Sequence, residues 1–160
     1  MNLSTKVTNG RGVVERTTLG VAVGVFATLA MGVVQLATGQ QGGIEMAFPA
    51  MYGVEDPAPR VGWAVHLFHG GLLGGLYITV VSHPSLDAAA GDSLRGGAVG
   101  LMYGLFLTLV AVGVVMPLWL SLVEFPAAPP LFGAIGTMSI LTHSTYGLVL
   151  GALTPIVRDK

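Results

Sequence analysis

The sequence predicts an all-α integral membrane protein with four transmembrane helices, built as two parallel two-helix repeats. Three observations carry this reading. Four long stretches, 17–44, 61–86, 96–123 and 125–157, contain no Asp, Glu, Lys or Arg. Charged residues make up only 9% of the 160, against about 25% in a soluble domain. That is too little charge to clothe a globular surface, so lipid must solvate much of it. Finally, one unusual motif occurs twice. His66-Leu67-Phe68-His69-Gly70-Gly71-Leu72-Leu73-Gly74 is matched, at an offset of 77, by His143-Ser144-Thr145-Tyr146-Gly147-Leu148-Val149-Leu150-Gly151. The shared pattern is His-x-x-[His/Tyr]-Gly-x-x-x-Gly, which on a helix puts the rings and both glycines on one face.

A helix needs roughly 20 apolar residues to cross the hydrocarbon core. With polar and proline-bearing flanks removed, the expected spans are 19–38, 61–82, 97–122 and 132–156, in a single membrane domain covering residues 1–160. The first reads as a retained helix rather than a signal peptide, because no convincing small-residue cleavage site follows it. The segment before it is polar and reads as a frayed or surface-lying N-terminus. Of the seven Lys and Arg, six (Lys6, Arg11, Arg16, Arg95, Arg158 and Lys160) fall on the side of the termini and the 83–95 loop. Only Arg60 falls on the other. The positive-inside rule then places both termini in the cytoplasm of a multi-pass plasma-membrane protein.

The repeat extends beyond the histidines. Gly20 and Gly24 match Gly100 and Gly104 at an offset of 80, as do Phe26, Thr28 and Leu29 with Phe106, Thr108 and Leu109. Gly32-Val33-Val34 matches Gly113-Val114-Val115 one residue later, and Phe48-Pro49-Ala50 matches Phe125-Pro126-Ala127 at 77. Repeat one covers about 17–82 and repeat two about 96–157. Each holds an even number of spans, so the two insert in one orientation and relate by a pseudo-two-fold axis along the membrane normal. The glycines Gly20, Gly24, Gly70, Gly74, Gly100, Gly104, Gly147 and Gly151 read as helix-packing positions, where a missing side chain lets backbones approach. Those on helices one and three are expected to be left for partners. Trp63, Trp119 and Tyr52 read as an aromatic belt, and Pro117 is expected to bend the outward end of helix three. Segment 44–53 is apolar apart from Glu45 and reads as lying on the membrane or dipping into it.

Ionisable residues inside spans are rare and default to a functional hypothesis. His66, His69 and His143 are such residues. His66 lies 16 positions before Ser82 and His143 lies 15 before Arg158, so both sit at similar depth in the outward half. Neutral imidazoles from two helices can ligate a haem iron from both sides, or bind a metal or relay protons. The competing reading is polar packing, with each imidazole hydrogen-bonded to a nearby Ser, Thr, Tyr or carbonyl. Glu45 and Glu124, each just before a Phe-Pro, are repeat-matched acids at the outward interface.

Other chemistry is excluded or unsupported. Cysteine is absent, which removes disulfides, iron–sulfur clusters and thiolate sites. The net charge of −1 with no basic block argues against nucleic acid as a partner. No hydrolase elbow, phosphate loop or zincin motif is present, so an enzyme is not the expected reading.

In its last helix, His143-Ser144-Thr145-Tyr146-Gly147-Leu148-Val149-Leu150-Gly151, the chain resembles small four-helix membrane proteins of halophilic archaea, which often end in such a helix. The acidic loops, and five Arg against two Lys, fit that source. The resemblance implies the four-helix fold. It implies no activity, because that family has none assigned, and His69 departs from its Tyr. Three functions follow as expectations. The first is a small membrane subunit or anchor in a larger complex or homo-oligomer. The alternatives are a haem b electron-transfer protein with His66 and His143 as axial ligands, and a small transporter or channel along the pseudo-two-fold.

Overall fold

The computed structural model describes residues 3–158, with the side chains of residues 3–11, 85, 87 and 158 outside the description. The side chains of Lys6, Arg11, Asp87 and Arg158, and all of Asp159 and Lys160, therefore lie outside the described set. Four long helices dominate: α1 (Leu3–Ala37), α2 (Pro59–Val81), α3 (Ser93–Leu122) and α4 (Thr137–Arg158). Each is long and apolar enough to cross a membrane. No strand occurs among the described residues.

The helices are apolar all round, so polarity does not decide which face turns inward. Glycine placement marks it instead, with the buried glycines on one side of each helix. On α2 the bulky Phe68, Leu72, Leu76 and Val80 are exposed, while Gly70, Gly74, Ile78 and Val81 are buried. On α1 the exposed side chains are Phe26, Leu29, Val33 and Leu36, and the buried ones Ala27, Thr28 and Met31. On α3 Met102, Phe106 and Leu109 face out, and Gly96, Gly100 and Gly104 face in. Without a hydrophobic drive between helices in lipid, dispersion contacts between closely approaching backbones must hold the bundle.

Glycine makes that approach in two pairs of helices. In α1–α2, a Cβ on Gly24 would meet the Gly70 carbonyl oxygen and, at 2.9 Å, the Gly74 Cα. A Cβ on Gly20 would meet the Gly74 oxygen at 2.8 Å. In α3–α4, a Cβ on Gly100 would meet the Gly147 oxygen, and one on Gly147 the Gly100 oxygen. Gly104 faces the His143 carbonyl and Gly96 that of Gly151. The expectation that glycines of helices one and three wait for outside partners is corrected: Gly20, Gly24, Gly100 and Gly104 are already filled by α2 and α4. Pro155 lies inside α4. Its missing N–H leaves the Gly151 carbonyl without its helical donor, and that oxygen is the one facing Gly96.

The two pairs join through α1 against α4 and through tyrosines. Tyr146 Oη donates to the Gly70 carbonyl at 2.7 Å, and Tyr103 Oη to the Leu73 carbonyl at 2.9 Å. Around them the core closes with Val23, Ala27, Met31, Tyr77, Val81, Leu107 and Leu150.

Three boundaries differ from expectation. Helix α1 continues back to Leu3 where a frayed or surface-lying segment was expected, since residues 3–18 hold no proline to stop it. Helix α3 starts at Ser93, not 97, because the Asp92 carboxylate accepts from the backbone N–H groups of Leu94 and Arg95 at 3.0 and 2.9 Å. That is a helix N-cap. Helix α4 starts at Thr137, not 132. Phe132 has a left-handed φ of 61°, its N–H is tied to the Gly113 carbonyl at 2.7 Å, and the chain turns there. Within α3, residues Thr108–Val115 form a π-helical stretch before the α-helix resumes at Met116. A second π turn, Gly43–Ala47, runs into the short helix Phe48–Ala50. Segment 44–53 packs on the bundle through Ile44, Ala50 and Met51, which are buried, while Met46 and Tyr52 stay exposed; Ile44 packs on Gly62.

Candidate functional site: a histidine-lined chamber

At the end of the bundle opposite the termini, the helices part around a chamber of about 430 Å³. Its wall takes Thr28, Met31 and Gln35 from α1, and His66, His69, Gly70 and Leu73 from α2. From α3 come Leu107, Ala111, Val112 and Met116, and from α4 Ser139, Thr142, His143 and Tyr146. The roof is the 39–48 connection, including Gly43, Ala47 and Phe48. Both π-helical stretches border it, through Gly43 and Ala47 and through Ala111 and Val112. Such widened turns recur at functional sites because they displace side chains and free carbonyls. No Asp, Glu, Lys or Arg is in the wall.

The structure brings His66, His69 and His143 to this one chamber. The i, i+3 spacing puts the first two on one face of α2, and the third comes from α4. Their environments differ. The His143 Nδ1 is 2.9 Å from the Ser139 carbonyl, one turn back on its own helix. A carbonyl only accepts, so Nδ1 carries the proton and Nε2 holds the lone pair. His69 Nε2 pairs with Tyr52 Oη at 2.7 Å, at an exposed position. His66 is only 5% exposed, its ring stacks on Phe48 at 5.0 Å and 20°, and its Nε2 has no hydrogen-bond partner.

Tyr146 occupies the place in the motif that His69 fills, yet the two do different things. Tyr146 is buried and bonds across to α2, while His69 joins an aromatic group with Tyr52 and Trp119. Trp63 lies edge-on to His66, 6.0 Å between centroids, and covers Gly32. The tryptophans expected as a belt thus also sit beside the chamber histidines. Neither Glu45 nor Glu124 is in the chamber wall.

Sequence reasoning passed over Gln35, which is 8% exposed and whose Oε1 is likewise unpartnered. A signal was available, since a glutamine inside an apolar span needs a partner. The roof residue Phe48 was legible only as half of a repeated Phe-Pro.

Among the described residues, no three His, Asp or Glu side chains group closely enough to hold a metal ion. The glycines beside the histidines leave no slot of their own either. A Cβ on Gly70 would strike Thr28, and one on Gly147 the backbone of Gly100. Four apolar helices around this chamber suit a multi-pass membrane protein. No protein-family model matches the chain, and no curated protein or solved structure matches it.

Proposed function

We propose that this is a small plasma-membrane subunit, with both termini cytoplasmic, that holds a small molecule in its outward-facing chamber and works within a larger membrane complex or homo-oligomer. One observation carries the reading. An imidazole that served only as packing glue would be hydrogen-bonded, whereas His66 is buried beside a chamber with Nε2 unpartnered. Leaving such a group unmade costs about 1–3 kcal/mol, and a bound molecule would recover it. A pseudo-two-fold repeat is part of the proposal. It is supported by Gly20–Gly74 and Gly100–Gly151 as matched close approaches. It is also supported by Thr28 and Thr108, which both return a hydroxyl to the carbonyl four residues back, at Gly24 and Gly104.

The test is native mass spectrometry of the protein extracted in mild detergent from its own membranes. The expected result is a non-covalent adduct of small-molecule mass, released on denaturation and lost in His66→Phe. A bare chain in both proteins would overturn the reading, and co-migrating polypeptides would identify the assembly.

Haem b is the second reading. The unpartnered His66 Nε2 and the lone pair left on His143 Nε2 are the two nitrogens that would hold such a group's iron. The rest of the wall fits it poorly. No Lys or Arg faces the chamber to neutralise two propionates, and the glycines are filled by neighbouring helices. An optical spectrum of the same preparation, oxidised and dithionite-reduced, separates the two readings: a Soret band with sharp reduced bands selects haem. A channel along the axis has less support, because Tyr77, Val81 and Leu150 fill the bundle beyond Tyr146.

A further inference from the structure

We infer that the chamber binds the head group of a lipid-soluble quinone or quinol, held between His66 and Gln35. The inference rests on the proposed ligand-binding role and names the class of ligand.

The wall sets the ligand's charge. With no ionised side chain in it, a charged guest would be desolvated without a counter-charge, which is severely unfavourable. The guest is therefore neutral. The lipid-facing exterior sets its source. Phe68 and Leu72 cover the outside of the helix that carries His66, and large apolar side chains are exposed on the other three helices too, so a hydrophobic molecule dissolved in the bilayer has direct access to the bundle.

Polar atoms set its pattern. Two buried side chains on different helices each leave one polar atom unpartnered, His66 Nε2 on α2 and Gln35 Oε1 on α1, and both side chains border the chamber. Both atoms are themselves covered, so a guest with polar atoms at two edges meets them by a turn of each side chain. Both groups are also ambivalent. A neutral imidazole nitrogen donates or accepts according to tautomer, and a carboxamide turned over presents N–H₂ in place of oxygen. The pair can therefore receive the two hydroxyls of a quinol or donate to the two carbonyls of a quinone, with no change of charge. Phe48, stacked on His66 at 20°, gives the edge of that slot a flat apolar wall for an aromatic ring. The volume, about 430 Å³, lies within the roughly 300–1,000 Å³ of small-molecule sites.

The chain has two tryptophans, and each lies against a chamber histidine, Trp63 by His66 and Trp119 by His69. Their fluorescence reports occupancy. The experiment titrates the full chain in detergent micelles with a short-chain benzoquinone and, separately, its quinol. Gln35→Leu and His66→Leu are compared with the parent, with helicity and gel-filtration profile checked for each. Saturable quenching by the parent is expected, weakened about tenfold in Gln35→Leu, the order of one lost hydrogen bond. Trp63→Phe should remove the share of the signal that comes from beside His66 and leave that of Trp119. Two variants keep the test open, so one that fails to fold leaves the other to decide. Quenching that rises without saturation, equally in parent and variants, reports partition into the micelle and overturns the inference. If the mass-spectrometric adduct proves not to be a quinone, the quinone assignment falls and the chamber reading stands. If no adduct and no saturation are found, both fall.

Discussion

Replacing Gly147 by Ala tests whether glycine contact holds α3 against α4. The new Cβ would lie 2.9 Å from the Gly100 carbonyl carbon and the Gly104 nitrogen, and nearer still to the Gly100 oxygen. All three are backbone atoms, so no side chain can swing away. Ordinary contact begins at 3.4 Å, so the helices must separate by at least the 0.5 Å between these distances. Overpacking of this kind costs about 1–3 kcal/mol, while alanine returns up to about 1 kcal/mol of helix propensity. Gly12→Ala is the matched control: it lies in a helix and its Cβ would meet nothing within 4 Å, so only the propensity gain remains. The two variants should therefore differ by about 1–3 kcal/mol, with Gly147→Ala the weaker. Reversible unfolding in mixed dodecylmaltoside–SDS micelles, followed by circular dichroism, measures this. Equal stabilities to within about 0.5 kcal/mol, the usual scatter of independent sites, would refute the packing argument. Since Gly100 and Gly147 press on each other, the double variant should lose less than the two single losses combined.

Three further outcomes follow from single contacts. Asp92→Ala removes the cap on α3 and should cost about 0.5–2 kcal/mol in the same unfolding assay. Its ion pair with Arg95, 3.3 Å and well exposed, adds little, so Asp92→Asn should keep most of the stability. Tyr146→Phe removes the bond to the Gly70 carbonyl and should cost about 0.6 kcal/mol, at most about 1.7, the range for such bonds in membrane proteins. Phe132→Gly relieves a left-handed backbone but uncovers Gly113, so it should be less stabilising than the about 1 kcal/mol of strain it releases. Phe132→Ala keeps the strain, loses the ring and should be the weaker of the two.

Much of this was legible because membrane helices announce themselves by length. The expected 61–82 and observed Pro59–Val81 agree to two residues, since proline and a run of apolar residues mark both. The similar depth of His66 and His143 was legible from their offset, but that one chamber gathers them with His69 was not. The glycines were legible as packing positions but their partners were not, because small residues on four apolar helices fit several pairings. Nothing in the pattern showed that α1 and α3 spend their glycines inside the molecule. Helix α4 was read five residues too early, because Phe132–Gly136 is apolar and its turn depends on a distant carbonyl at Gly113. Gln35 was missed for a related reason. Its meaning depends on the 39–48 roof folding over it, and a short π turn leaves too few residues to show a period.

The proposed repeat slips by one residue, and the slip has a structural counterpart. Helix α1 aligns with α3 at an offset of 80 as far as Leu29 and Leu109, and at 81 over Gly32-Val33-Val34 and Gly113-Val114-Val115. On the proposed repeat, α3 holds one residue more than α1 between these points. A helix can absorb a single extra residue without breaking if its hydrogen bonds lengthen from i+4 to i+5, which is a π turn. The π-helical stretch of α3, Thr108–Val115, contains the slip. The wide turn has two effects. The Gly113 carbonyl accepts from Phe132, and Ala111 and Val112 line the chamber. The glycines past the slip still serve alike, each lying under an aromatic ring, Trp63 over Gly32 and Phe132 over Gly113. On the proposed repeat, then, the two halves keep their packing positions and diverge along the chamber wall. There α1 presents Met31 and Gln35, and α3 presents a widened apolar backbone. A protein selected only for helix packing has no use for that asymmetry, whereas a site for one molecule with two unlike edges does.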